Sequence, residues 1–184
     1  AELDMARKTY TTALRAAQRG NAERSWNVHI LQRMADIDMQ RLDWKRALRV
    51  FEQIRTLRPD DIGVRKSLID LNLKMANKAQ AFKELNNFLG YLEEHPSAES
   101  DVVALLAGLL TDHPTIGELH QTLAEQYRTQ GKKEDAIKKF DRAADVFLQA
   151  GEKESAIQAI TMLLSMAPPN IEDYQQILAE IQAE

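Results

Sequence analysis

The chain has no cysteine among its 184 residues. A disulfide framework and cysteine-ligated metals are therefore excluded. Glycine and proline are scarce, at seven and five, and aromatic residues make up only 6%. No stretch alternates Val, Ile, Thr or aromatics with polar residues, so no strand with a period of two is expected. The longest near-continuous apolar run, Val102 to Leu110, has nine residues, against the roughly 20 that cross a bilayer. No basic, apolar, small-residue succession of a signal peptide stands at the start. A glycine-rich phosphate loop, a GxSxG elbow and an HExxH motif are also missing. No catalytic residue and no cofactor is expected, and the reading is of a protein that is not an enzyme.

What is abundant is helix-forming: Ala, Leu, Gln, Glu, Lys and Arg dominate. Hydrophobic residues at 44% and charged residues at 28% suit a folded chain with a real core. The fold class is all-α. Charge is unevenly spread: residues 1–60 hold twelve Lys/Arg against eight Asp/Glu, and residues 61–184 hold twelve against twenty. The two ends could steer partners of opposite charge, or both could be ordinary solvated helix faces. Nucleic acid would call for a denser basic stripe with interleaved aromatics, so no nucleic-acid partner is expected. The first residue is Ala1, and the chain reads as a fragment of a longer protein in a cytoplasmic setting.

Punctuation predicts about ten helices of roughly 12–18 residues, lengths ordinary for globular proteins. Gly20-Asn21 closes the first, because both residues accept the left-handed conformation past a helix end. Leu42-Asp43 is a tight corner, and Arg58-Pro59-Asp60-Asp61 stops one helix and offers aspartate caps to the next. Asn77-Lys78, His95-Pro96-Ser97, His113-Pro114-Thr115, Gly131, Gly151 and Pro168-Pro169-Asn170 supply the remaining breaks. Thr115 and Glu118 have the spacing of a capping box. Connections this short make successive helices antiparallel hairpins.

Self-similarity separates a closed bundle from an open stack. From Leu31 the chain gives Met34-Ala35, Asp38, Ala47, Phe51, Ile54 and Pro59. From His120 it gives Leu123-Ala124, Tyr127, Gly131, Ala136, Phe140 and Ala143. From Phe140 it gives Ala143-Ala144, Phe147, Gly151, Ala156, Ile160, Leu163 and Pro168. Between these, Leu68-Ile69, Ala81, Leu85 and Phe88 keep their places and Pro96 arrives three residues late. A small residue where two helices meet lets the backbones approach, and a large one four positions on fills the hole beside it. Ala47/Phe51, Ala81/Leu85, Ala136/Phe140 and Ala156/Ile160 are four such pairs.

Over residues 28–168 this ordered set resembles the tetratricopeptide repeat (TPR) family. The resemblance implies a right-handed α-solenoid of antiparallel helical hairpins over one domain, residues 1–184, with its best repeats at 28–61, 117–150 and 137–170. Asp38 departs from the family's tyrosine. The last two repeats begin 20 residues apart instead of 34, so the helix from Lys133 to Gln149 serves two units, similar to SNAP-like or clathrin-like solenoids.

The resemblance also implies a function: a non-enzymatic scaffold or adaptor that holds a protein or peptide partner in a groove. The groove-facing positions are His29, Gln32, Asp36 and Met39, then Lys66, Asp70 and Leu73, then Gln121, Glu125 and Arg128. Acids at Asp36, Asp70 and Glu125 disfavour a terminal carboxylate as the ligand. Two alternatives are an assembly module that oligomerises through its terminal helices and a ligand-responsive regulatory sensor. A monomer or weak homodimer is expected.

Asp112, His113 and His120 do not make a metal site, because Pro114 breaks any helix between them. His95 and His113 suit the negative ends of helices. The run Val102–Leu110 is read as a helix covered on all sides, with a groove for a partner helix as the alternative. Trp26 and Trp44 are read as packing residues rather than ligand platforms. The last helix carries Ile171, Tyr174, Ile177, Leu178 and Ile181 on one side and Glu172, Asp173, Gln176 and Glu180 on the other. It either caps the stack or docks a second copy, and the solvated outer residues favour a cap.

Overall fold

The computed structural model describes residues 2–21, 23–96 and 101–183. Ten helices follow one another, with no strand among the described residues. They are α1 (Glu2–Arg19), α2 (Arg24–Gln40), α3 (Trp44–Leu57), α4 (Ile62–Lys74) and α5 (Lys78–Glu94), then α6 (Val102–Asp112), α7 (Gly117–Thr129), α8 (Lys133–Ala150), α9 (Lys153–Ser165) and α10 (Ile171–Ala183). The chain divides into two compact units, Ala1–Ser100 and Asp101–Glu184. In the first, α1 packs on α2, α2 on α3, α3 on α4 and α4 on α5. In the second, the same neighbour-to-neighbour packing runs from α6 to α10.

The turns show why consecutive helices reverse. Leu42 (φ 56°), Ala76 (φ 56°), Gly131 (φ 72°) and Gly151 (φ 73°) all take the left-handed conformation. Each is followed by the same closing hydrogen bond. The amides of Asp43, Asn77, Lys132 and Glu152 donate to the carbonyls of Asp38, Asn72, Tyr127 and Phe147, which is the longer bond of a Schellman ending. Leu42 and Ala76 stand 34 residues apart, and Gly131 and Gly151 stand 20 apart. One turn thus recurs at two periods, one in each unit. Among the described residues, side chains cap four helix starts: Asp43, Asp61, Asn77 and Asp101 accept from the amides of Arg46, Val64, Gln80 and Ala104.

All four small-and-large pairs face the interior. Ala47, Ala81, Ala136 and Ala156 are wholly buried, as are Leu85 and Phe140, and Phe51 and Ile160 nearly so. Ala35 and Ala124 are also at zero exposure. In the first unit one continuous core joins Leu14 of α1, Leu31 and Met34 of α2, Phe51 and Ile54 of α3, and Leu68 and Leu71 of α4. In the second, Ala143 and Phe147 of α8 pack with Ala156 and Ile160 of α9. Phe140 of α8 meets Ala124 of α7 and Leu163 of α9.

Three sequence expectations need correction. Thr115 does not cap α7: the N-cap is Ile116, whose side chain has nothing to donate or accept, and the helix starts at Gly117. The run Val102–Leu110 is not covered on all sides. Leu105, Leu106, Leu109 and Leu110 are buried, while Ala104 and Ala107 are exposed, so small side chains rather than large ones occupy its open face. Trp26 is 61% exposed and does not pack into the core, whereas Trp44 does pack against it. Ser97 lies outside the described residues.

Gly117 marks a close approach. A Cβ there would stand 2.5 Å from Cε1 of Phe147, whose ring is 1% exposed and walled in by α8 and α9. Gly117→Ala should therefore destabilise the second unit by about 1–3 kcal/mol through overpacking. Denaturant unfolding would measure the loss, and adding Phe147→Leu should restore part of it.

Candidate functional site

The predicted groove residues lie on three helices in two units. In the first unit, α2 presents His29 exposed and Gln32, Asp36 and Met39 half-buried, while α4 presents Lys66 and Leu73 half-buried and Asp70 nearly buried. In the second, α7 presents Gln121 and Glu125 half-buried and Arg128 exposed. The three acids are all committed on their own helices. Gln32 Nε2 donates to Asp36 Oδ1 at 3.2 Å, with Arg33 3.7 Å from the same carboxylate. Lys74 Nζ stands 2.7 Å from Asp70, and Arg128 Nε 2.7 Å from Glu125. Each carboxylate thus has a cation or amide within one helical turn, and the acidic wall expected from sequence is partly neutralised.

Two of these residues line a depression in the first unit. Met39 and Asp36, with Ala6, Tyr10, Arg33, Ile37 and Gln40, border a groove of about 520 Å³ between α1 and α2. Ala6, Tyr10, Ile37 and Met39 give it apolar walls, and Arg33, Asp36 and Gln40 supply polar groups. Arg128 instead borders a smaller depression of about 400 Å³ in the second unit, with Gly131, Lys133, Ser165, Met166 and Ala167.

The structure explains the departure at position 38. Asp38 is wholly buried, and Nε of Arg7 donates to both of its carboxylate oxygens at 3.0 Å. An ion pair from α1 therefore fills the place where the repeat pattern has an aromatic ring. A second buried pair ties three helices together. Glu84 of α5, 2% exposed, accepts from Arg65 of α4 at 2.6 Å and also pairs with Arg55 of α3. Arg65 lies 5.1 Å above the Phe88 ring and donates to the Pro59 carbonyl at 2.9 Å. Removing one partner of such a pair typically costs about 3–5 kcal/mol, since the other charge is left buried. Sequence reading missed both clusters. Their members are 31, 29 and 19 residues apart, and the only signal was an aspartate where the pattern wants a tyrosine.

The histidines divide by environment. His95 caps the C-terminus of α5, where its Nδ1–H donates to the Tyr91 carbonyl at 2.9 Å and its ring stacks on Tyr91 at 4.2 Å. His113 caps α6. Among the described residues no three His, Cys, Asp or Glu side chains converge as metal ligands would. In the second unit Tyr174 ties α10 to α8 by donating its hydroxyl to Asp141 Oδ1 at 2.8 Å. Burial, then that bond, pushes its pKa up to about 12.

Hairpins joined by one recurring turn, with alanine at each close approach, define the architecture. The fold is TPR-like. No protein-family model matches the chain, and no curated protein does. Among solved structures it is similar to a tetratricopeptide repeat protein from Parabacteroides merdae, at 17% identity over 98% of this chain and 78% of that one, with a TM-score of 0.42. It is similar to MamA from Desulfovibrio magneticus RS-1 at 16% identity over 97% and 92%, with a TM-score of 0.35. A thermophilic TPR protein of Thermus thermophilus follows at 18% over 95% and 91%, with a TM-score of 0.26.

His120 carries a pH prediction for this TPR-like second unit. It is 6% exposed, and Nε2 lies 3.0 Å from the Pro114 carbonyl, so Nε2 bears the hydrogen. Burial lowers its pKa from 6.5; the Pro114 bond opposes that shift, and the charges of Lys139 and Arg142 add to it. A lowered histidine favours the neutral form in the fold. Its stabilisation is fully present above 6.5 and is lost as pH falls below that value. Hydrogen exchange of α7 amides, corrected for intrinsic rates, should show weaker protection at about pH 5.5 than at about pH 7.5. His120→Gln should abolish the difference.

Proposed function

We propose that the chain is a non-enzymatic scaffold that binds a protein or peptide segment. The observation that carries this reading is the groove between α1 and α2, where an apolar strip beside Met39 and Tyr10 meets polar groups at Asp36, Arg33 and Gln40. A concave, mostly apolar site with a few polar groups suits a side-chain anchor whose backbone is held at the rim. His29 and Gln32 extend the same face of α2, since positions three and four apart align along a helix. Lys66, Asp70 and Leu73 form the corresponding stripe on α4, and Gln121, Glu125 and Arg128 a separate one in the second unit. Selection would rest on shape and polarity, with no covalent chemistry. A cytoplasmic setting and partners other than nucleic acid belong to this reading.

Peptides displayed on phage and selected on the immobilised chain should converge on a motif with one apolar anchor. Met39→Asp and Asp36→Arg should each lower recovery of that motif about tenfold or more, the scale at which single buried anchors act in interfaces. Recovery unchanged in both variants would remove the groove assignment.

A second reading, self-assembly through a terminal helix, is favoured by α10. None of its residues is fully buried, and Ile171 and Ile177 are each 38% exposed beside the packed stripe of Tyr174, Leu178 and Ile181. Light scattering at two concentrations should then give a mass that rises with concentration, and Ile171→Glu with Ile177→Glu should hold it at one chain. A single-chain mass for the unaltered protein at both concentrations rules assembly out.

A further inference from the structure

A different depression in the first unit, of about 650 Å³, is bordered by Asp4, Arg7, Lys8, Thr11, Thr12, Arg15, Arg41 and Arg46. Its five cations are not equivalent. Arg7 is locked into the buried pair with Asp38 and donates to Thr11 Oγ1 at 3.0 Å, so it forms part of the wall. Arg41 pairs with Asp4, and Arg46 stands 3.6 Å from Asp43, with every side chain of those two pairs at least 31% exposed. Exposed pairs of this kind contribute little and exchange partners readily. Lys8 and Arg15 are exposed and make no ion pair among the described residues. They are the surplus charge of the groove.

Their spacing selects the ligand. Seven residues separate Lys8 from Arg15 on α1, about 10.5 Å along the helix axis at 1.5 Å per residue. A compact anion such as phosphate would be gripped by cations converging on one point, which these do not. A peptide in the extended polyproline II conformation advances about 9 Å in three residues and brings every third side chain to one face, so acidic side chains at that spacing would meet Lys8 and Arg15 in turn. Nucleic acid fits less well: two uncommitted cations would neutralise few phosphates, and the chain as a whole is at −4.

We infer that the groove along α1, closed by Arg41 and Arg46 at the α2–α3 turn, is a docking site for an acidic extended peptide segment. Asp4 is then an internal competitor. Its carboxylate already occupies Arg41, and an incoming acidic side chain takes over that guanidinium. This site is separate from the apolar groove of the proposed function and does not depend on it.

The test is fluorescence anisotropy of the full chain with a labelled Gly/Ser peptide carrying Glu at every third position, beside the same peptide carrying Gln. The Glu peptide should bind, with affinity falling as salt rises, and the Gln peptide should not. Lys8→Glu with Arg15→Glu should weaken binding about tenfold or more, since each exposed ion pair is worth up to about fivefold. Lys138→Glu with Arg142→Glu, an equal charge change on α8, should leave it within about twofold, because neither residue borders the groove. Asp4→Asn should tighten binding a few-fold by freeing Arg41. Helical circular dichroism unchanged across the variants establishes that they fold. Equal binding of the Glu and Gln peptides, or equal weakening by the α8 pair, would overturn the inference. So would displacement of the peptide by stoichiometric inorganic phosphate or a single-stranded oligonucleotide.

Discussion

Helices can lie this close only where no side chain separates their backbones. Alanine meets that condition at Ala35, Ala47, Ala81, Ala124, Ala136 and Ala156, each wholly buried. At Gly117 even a methyl group would be too much, because Phe147 fills the space. Close approach leaves a hollow one helical turn away, and Phe51, Leu85, Phe140 and Ile160 fill those hollows. The recurring left-handed turn follows from the same need, since a helix that is to lie against its predecessor must reverse within about three residues.

Charge has an unusual place in the first unit. Three carboxylate–arginine contacts sit where neighbouring helices could have met through apolar side chains, at Arg7–Asp38, Arg65–Glu84 and Arg55–Glu84. Ion pairs in such positions add little net stability over a well-packed apolar substitute. They are demanding about geometry, however: each guanidinium must meet its carboxylate, so α1 fits α2, and α4 fits α5, in one register. Arg7 illustrates the link to the surface, because the residue that satisfies buried Asp38 also forms the wall of the cationic groove.

Much of this was legible from residues alone. Gly131, Gly151, Pro59 and Asn77 mark helix ends because backbone conformation is a local property. The alanine-and-large pairs were legible because their spacing repeats one helical turn. Position 38 showed that something differed without showing what, since Arg7 lies 31 residues away and nothing in a spacing pattern couples the two. Trp26 was misjudged for a related reason: burial of an aromatic depends on whether a neighbour covers it, which its own helix does not determine. The left-handed Leu42 and Ala76 were equally hidden, because neither residue type favours that conformation. Of the candidate site, Asp36 and Met39 came to border one groove, while the cationic groove drew its residues from the length of α1, the α2–α3 turn and the start of α3, which no motif connects.

Helix α8 has consequences for how the second unit could be divided. Its Phe140 reaches both α7 and α9, while Ala143 and Phe147 lie against α9 and Phe147 also covers Gly117 of α7. Neither α7–α8 nor α8–α9 can be lifted out without taking part of the other's interior away. In the usual array each repeat contacts only its neighbours, and stability adds up from whole repeats and the interfaces between them. Here α8 belongs to two hairpins at once, and a deletion that removes one of them bares the apolar flank of the other.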